Sequence, residues 1–200
     1  MAALGGNLTG YYRLHARVYD LTRWAFLFGR NAMVKQIVAR KPGSVLEIGC
    51  GTGRNLAQLA TALPDARLHG VDLSPDMLEI ARQKCAQHGN VQLHLGEAPK
   101  LPAGGCEVVL MSYLLSMTGA QAQALLQYAN SQLAPNGVLA VVDFENSPSA
   151  WFRRWMGYNH VHLDGSLSTL LREQSGLQVR SKRAYFGLWS WLSACGPEPT

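Results

Sequence analysis

The 200-residue chain is 48% apolar and 16% charged, with 20 glycines and 9 prolines, a globular composition that excludes a disordered, collagenous or coiled-coil protein. Its length suits one domain rather than two full cores. The net charge of +5 is unevenly placed: residues 1–41 carry seven Lys/Arg against one acid, Asp20, and the remainder is near neutral. A basic head on a neutral body suits an anionic cofactor, a phospholipid surface or nucleic acid, and equally a solvated helix face.

Cys50, Cys85, Cys106 and Cys195 are scattered without a C-x-x-C spacing. This favours reduced, packed thiols over a disulfide framework or a zinc site, and no metal is expected. No apolar run is long enough to span a bilayer, and the basic-then-apolar order of a signal peptide is missing. The expectation is a soluble, cytoplasmic protein.

Residues 1–10 are small and polar, and helical periodicity runs from Tyr11 to about Ala39. Leu14, Val18, Leu21, Ala25 and Phe28 form an apolar stripe. Tyr12, Tyr19, Arg23, Phe26 and Arg30 form a second, aromatic and cationic one, which either lines a polar site or widens the buried face. Lys41-Pro42-Gly43 ends this region, and strands then alternate with helices. Strands are expected at Ser44–Ile48, Arg67–Val71, Val91–Leu95, Glu107–Met111 and Val138–Phe144. Helices are expected at Arg54–Leu63, Pro75–Gln87 and Ala120–Leu133, the second with Pro75 in its first turn. Trp151–Leu171 reads as an irregular, aromatic, helical insertion. Gln178–Tyr185 and Leu188–Ser193 read as an antiparallel hairpin around Phe186-Gly187.

The alternation implies an α/β, Rossmann-like, doubly wound sheet, mostly parallel with a C-terminal antiparallel hairpin, and a helical cap at the N-terminus. One domain is expected over residues 1–200, with the cap in 1–40, a ligand-binding core in 41–145 and an acceptor-site insertion with the closing hairpin in 146–200. Ligands of such folds gather at the carboxyl ends of the strands.

The most informative segment is Val45-Leu46-Glu47-Ile48-Gly49-Cys50-Gly51-Thr52-Gly53. A glycine-rich turn from strand to helix lets backbone approach a ligand closely and aims helix N–H groups at it. Dinucleotide binders use G-x-G-x-x-G, whereas here the third glycine comes one residue early and Glu47 precedes the first by two. A pyrophosphate would meet Glu47 unfavourably, and a cationic ligand with an amino-acid group would tolerate or use it. No G-K-[S/T] follows, which excludes a P-loop.

This segment resembles motif I, E-x-G-x-G-x-G, of the class I S-adenosylmethionine-dependent methyltransferases, and the resemblance continues in order over about residues 40–145. It implies the family's seven-stranded fold, with S-adenosylmethionine as cofactor and Gly49, Gly51 and Gly53 cradling its methionine part. Val71-Asp72-Leu73-Ser74 matches the place of the acid on the ribose hydroxyls, although an acid there would serve a nicotinamide dinucleotide too. Gly96-Glu97-Ala98 is similar to the family's G-D-A near adenine, with Glu longer than Asp by one methylene. Leu110-Met111-Ser112-Tyr113 and Pro135-Asn136-Gly137 fall where the family has the end of the fourth strand and the approach to the fifth. Leu73, Met77 and Ser112 complete the expected cofactor set with Glu47.

The segment from Tyr11 to Arg30 resembles bacterial lipid-amine N-methyltransferases of the betaine-lipid type. That likeness implies a helix closing over the cofactor, with Tyr12 or Tyr19 and Arg23 as contacts.

Candidates for chemistry lie past the fourth and fifth strands: Ser112, Tyr113, Asp143, Glu145, Asn146, His160 and His162. Asp143 ends a central strand, an odd place for an acid that serves packing alone. His160 and His162, two residues apart with no third ligand nearby, make a weak metal site. Trp151, Tyr158, Tyr185, Trp189 and Trp191 either surround a cation or pack the hairpin, and Tyr185 is the foremost of them. The catalytic candidates are therefore Tyr185, Asp143 and Tyr113.

No Asn/Asp-Pro-Pro-Tyr/Phe follows the fourth strand and no Pro-Cys stands there, which disfavours methylation of DNA bases. The basic helix lacks the aromatic interleaving of an RNA reader. The leading expectation is methyl transfer to the nitrogen of a small or lipid-linked amine, releasing S-adenosylhomocysteine. The basic N-terminal helix could then touch anionic lipid. A second expectation is transfer or cyclisation of the aminocarboxypropyl arm, releasing methylthioadenosine, and a third is a non-catalytic binder of the same ligand. The acceptor and the oligomeric state stay open at this level.

Overall fold

Ser44–Ile48 is buried along its whole length, the signature of a strand covered on both faces, and it forms the centre of a seven-stranded sheet. The computed structural model describes residues 27–96, 104–158, 160–173 and 177–196. Its strands are β1 (Ser44–Ile48), β2 (Arg67–Asp72), β3 (Val91–Leu95), β4 (Cys106–Ser112), β5 (Leu133–Asn146), β6 (Gln178–Ala184) and β7 (Trp189–Cys195). Their spatial order is β3-β2-β1-β4-β5-β7-β6. The first five run parallel, and β7 lies antiparallel between β5 and β6. Chain order reverses between β1 and β4, so a crevice opens beyond their carboxyl ends.

Two cores flank the sheet. On one face Val45, Leu110, Val142 and Phe144 pack with α1 (Arg30–Ala39), α2 (Arg54–Ala62), α3 (Pro75–Cys85) and α5 (Ala150–Tyr158). On the other, Leu46, Ile48, Val109 and Val141 pack with α4 (Ala122–Ser131) and α6 (Ser166–Arg172). Each fully buried Leu or Val in these layers stabilises the fold by roughly 1.5–3 kcal/mol relative to exposure. Helix boundaries follow local chemistry. Pro75 opens α3 behind Ser74, whose hydroxyl accepts the Met77 amide at 3.3 Å.

Several expected boundaries move. Of the helix expected over Tyr11–Ala39, the described part is α1 from Arg30, preceded by a left-handed Gly29 (φ +81°), and residues 11–26 lie outside the described residues. A Cβ at Gly29 would stand 2.2 Å from the Trp191 ring, so the chain turns here to let the indole pack. The expected stripe residues Leu14, Val18, Leu21 and Ala25 lie outside the described residues, as do Tyr12, Tyr19 and Arg23. The turn Pro135-Asn136-Gly137 falls inside β5 rather than before it. Cys106 pairs with Leu133 and Val108 with Val138, so extra residues of β5 are extruded, with Asn136 at φ +64°. The helix expected from Ala120 begins at Ala122, after a 3-10 turn over Gly119–Gln121. The hairpin expectation holds, with Tyr185–Gly187 as its turn.

Phe144 is 1% exposed, with ring centroids 4.7 Å from Tyr113 and 5.1 Å from Trp189. Phe144→Ala is expected to cost about 3–5 kcal/mol, read as a lower midpoint in urea unfolding.

Candidate functional site

The glycine loop leaves β1 at Gly49 and enters α2 after Gly53, and all three of its glycines are left-handed, at φ +71°, +52° and +72°. They are needed for different reasons. A Cβ at Gly53 would stand 2.9 Å from Ala81 of α3, so that glycine lets two helices approach. Gly51 would meet nothing within 4 Å, so its surface faces open space where a ligand can lie against backbone.

The loop is stapled to the next strand. Asp72 at the end of β2 accepts the Gly51 amide at 2.8 Å and the Ser74 amide at 2.9 Å. Burial raises the Asp72 carboxyl above its usual range against the opposing pull of these amides. Leu73, beside it, is 65% exposed at the crevice. Met77 differs from expectation: its side chain is buried, so it supports the turn rather than offering a surface to a ligand. Gly96 at the end of β3 has φ +123° and open space at its Cβ position, while Glu97 and Ala98 lie outside the described residues.

Glu47 is wholly buried, and its Oε1 accepts the Asn55 side-chain amide at 2.7 Å. Arg30 Nε donates to the same Asn55 at 3.4 Å, which links the start of α1 to the loop. Among the described residues, Glu47 Oε2 has no hydrogen-bond partner, and neither does the buried Ser112 Oγ. Glu47 pairs with Leu110, two residues before Ser112, so both side chains project from the same face of the sheet. Desolvation lifts the Glu47 carboxyl from 4.5 to about 7. Two buried polar atoms without partners, an acidic group and an open glycine surface fit S-adenosylmethionine, which carries an ammonium, hydroxyls and an amine. Glu47, the glycine loop, Asp72, Gly96 and Ser112 are the residues that would hold it. Asn55 was not anticipated, and its one signal is a polar residue on the apolar stripe Leu56-Leu59-Ala60 of α2.

Beyond β4 the backbone turns sharply at Tyr113 (φ +56°), a conformation that costs a β-carbon residue on the order of 1–3 kcal/mol. Its hydroxyl donates to the Phe28 carbonyl at 2.5 Å, tying the segment before α1 to the sheet. Burial and the nearby Asp143 push the phenol far above its ordinary value. Asp143 is fully buried, with Oδ2 accepting the Ser116 amide at 3.2 Å and Oδ1 accepting its neighbour Phe144's amide at 2.7 Å. It therefore anchors the 3-10 turn Leu115–Met117 through the Ser116 amide. Desolvation raises it from 3.8 to about 6.

Tyr185 does reach the crevice edge. It is 46% exposed, and its ring meets Phe28 edge-on at 5.6 Å, while Phe28 lies 5.6 Å from Trp189. Phe28, Tyr113, Phe144, Tyr185 and Trp189 thus form one aromatic cluster past β4, β5 and β7. Trp151 and Tyr158 are 71% exposed on α5, and Trp191 packs in the core under Lys182. The His162 amide donates to Ser116 O at 2.8 Å, and both His160 and His162 are exposed. A cavity of about 320 Å³ lined by Arg40, Arg180, Ser193 and Cys195 sits at the opposite end of the strands, away from this crevice.

Two predictions follow the geometry. Gly51→Val places a side chain where the ligand would lie, at a left-handed φ that strains a β-branched residue, so calorimetry should detect no S-adenosylmethionine binding and the thermal transition should fall in midpoint while staying cooperative. The second concerns pH. Glu47 titrates higher folded than unfolded, so its stabilising protonation is complete below 4.5 and lost as pH rises through about 7. Asp143 acts in the same sense between 3.8 and about 6. The ligand-free protein should lose stability across that window, with Glu47 contributing on the order of 3 kcal/mol. Glu47→Gln should flatten the upper part of the profile in urea titrations at stepped pH.

Residues 45–137 match the family described as a methyltransferase domain. Among relatives, the malonyl-[acyl-carrier protein] O-methyltransferase of Halalkalibacterium halodurans is 28% identical over 162 residues, covering 76% of this chain and 58% of that protein. The demethylmenaquinone methyltransferase of Tropheryma whipplei is 30% identical over 138 residues, covering 66% and 56%. The chain thus spans a little over half the length of these relatives. In fold, it is similar to the N-methyltransferase NodS of Bradyrhizobium japonicum solved with S-adenosyl-l-homocysteine, at TM-score 0.65, 20% identity and 86% coverage of both chains. It is also similar to human N-acetylserotonin methyltransferase, at TM-score 0.67 and 12% identity, covering 100% of this chain and 61% of that one. The E-x-G-x-G-x-G loop, the strand order and the methyltransferase-domain match over residues 45–137 agree with one another and make this chain similar to the class I S-adenosylmethionine-dependent methyltransferases.

Proposed function

We propose that the chain transfers a methyl group to the nitrogen of a small or lipid-linked amine. S-adenosylmethionine, when bound, supplies an electrophilic methyl group whose in-line displacement depends on alignment and water exclusion. Glu47 Oε2 would receive the ammonium of the methionine part. Asp72 would take the ribose hydroxyls on lone pairs that the Gly51 and Ser74 amides leave available. Tyr12, Tyr19 and Arg23, with Glu97 and Ala98, are proposed to complete the cofactor site.

The observation that carries the nitrogen reading is the state of the carboxylates. At the carboxyl edge Glu47 accepts Asn55, Asp72 accepts Gly51 and Ser74, Asp143 accepts Ser116, and Glu145 accepts Ser181. Every one of these acids already holds a hydrogen bond from the chain. An acceptor that brings its own lone pair, such as a neutral amine, needs no base here, whereas a hydroxyl does. Phe28 and Tyr185, exposed beside one another with the buried Trp189 packed behind them, supply ring faces that favour the cationic charge developing on nitrogen.

Mass spectrometry of the protein with S-adenosylmethionine alone, then with a panel of amines, tests this reading. S-adenosylhomocysteine formed only with an amine supports it. Methylthioadenosine without an acceptor would replace it by aminocarboxypropyl chemistry, and neither product with any acceptor would leave a binding protein. Tyr185→Phe is expected to keep cofactor affinity and lower turnover severalfold, and unchanged turnover removes the hydroxyl from the mechanism.

A further inference from the structure

Helix α5 reads Ala-Trp-Phe-Arg-Arg-Trp-Met-Gly-Tyr, and its faces divide sharply. Phe152 and Met156 are buried against the hairpin, whereas Trp151, Trp155 and Tyr158, at helical spacing, are 71%, 42% and 71% exposed. The two indoles stack, with centroids 6.5 Å apart and planes 8° from parallel. The hairpin turn adds Phe186, fully exposed and held at φ +57°. Ser147 joins the two elements: its carbonyl accepts Arg153 Nη1 at 2.5 Å and its hydroxyl donates to Leu188 O at 2.6 Å. Both elements therefore stand at the carboxyl edge of the sheet, the edge that holds the glycine loop.

We propose that this edge docks on an anionic phospholipid bilayer, with α5 lying in the headgroup layer and Phe186 inserting beside it. Tryptophan and tyrosine favour that layer because each joins an apolar ring to a polar atom. An interfacial helix pairs such rings with cations. Arg153 and Arg154 lie on α5, and Lys182 and Arg183 are exposed just before the turn. Neither α5 nor the stretch from Gln178 to Cys195 contains an acid. Charge thus complements a negative surface. A second copy meeting this patch about a two-fold axis would bring a basic, acid-free face against another one, which disfavours a dimer. The docking stands apart from the choice of methyl acceptor.

The test titrates the full chain with vesicles of phosphatidylcholine alone and of phosphatidylcholine with phosphatidylglycerol, following tryptophan emission and co-sedimentation. Partition onto the anionic vesicles is expected, weaker on neutral ones and weakened by added salt. The triple variant Trp151→Ala, Trp155→Ala, Tyr158→Ala should lower the partition coefficient by on the order of tenfold or more. Phe186→Ser should lower it as well, and serves as the second probe if the triple variant fails to fold. Circular dichroism and cofactor affinity, measured in parallel, separate a docking defect from a folding defect. No partition onto anionic vesicles overturns the proposal. So does equal partition of folded variants, or a self-association in sedimentation that the variants abolish. Turnover on a water-soluble amine is measured without vesicles, so the docking and the reaction can fail separately.

Discussion

The carboxylate of Asp72 is the point on which the site depends. Its two oxygens bind the amides of Gly51 and Ser74, residues that follow two different strands. A loop with three left-handed glycines has many conformations to lose on folding, and a buried acceptor at its midpoint selects one of them. Ser74 is at once the residue that caps α3, so the same carboxylate sets where that helix starts. Gly53 then lets α2 and α3 come close enough to bury Leu56 and Leu78. Local backbone geometry, helix placement and an open ligand surface are thus consequences of one buried acid.

The acceptor side rests on a second chain of contacts. Gly29 yields space to Trp191, which turns the chain at Phe28, and the Phe28 carbonyl then lies where the Tyr113 hydroxyl can reach it. Tyr113 accepts an unfavourable backbone conformation to hold that position, and Asp143 fixes the following turn through Ser116. Both determine where the aromatic wall stands.

The legible parts of this molecule were those set by local chemistry. Ser44–Ile48 and Val91–Leu95 were read with their observed ends, because short apolar runs bounded by glycine and turn residues leave few alternatives. The turn at Gly49, Gly51 and Gly53 was legible because three left-handed positions impose glycine on the sequence. The left-handed Gly29 was not, since a helical pattern continues through it and the indole that needs its space comes 162 residues later. The contacts of Asp143 were hidden for a related reason. An acid ending a central strand signals a special role, and only the fold reveals that its partner is an amide in the turn after β4. Asn55 was hidden because buried polar residues on a helix look like lapses in periodicity until their partner is known.

The sheet ends, among the described residues, on β3 at one side and β6 at the other. An edge strand offers unpaired backbone groups to any passing chain, and a flat apolar edge invites aggregation. Here β6 exposes Arg180, Lys182 and Arg183 along its length, and the side chains of β3 include Gln92 and His94. Two copies of β6 brought side by side would align cation with cation. The strand that completes the fold also carries the charge that discourages its extension into a larger sheet.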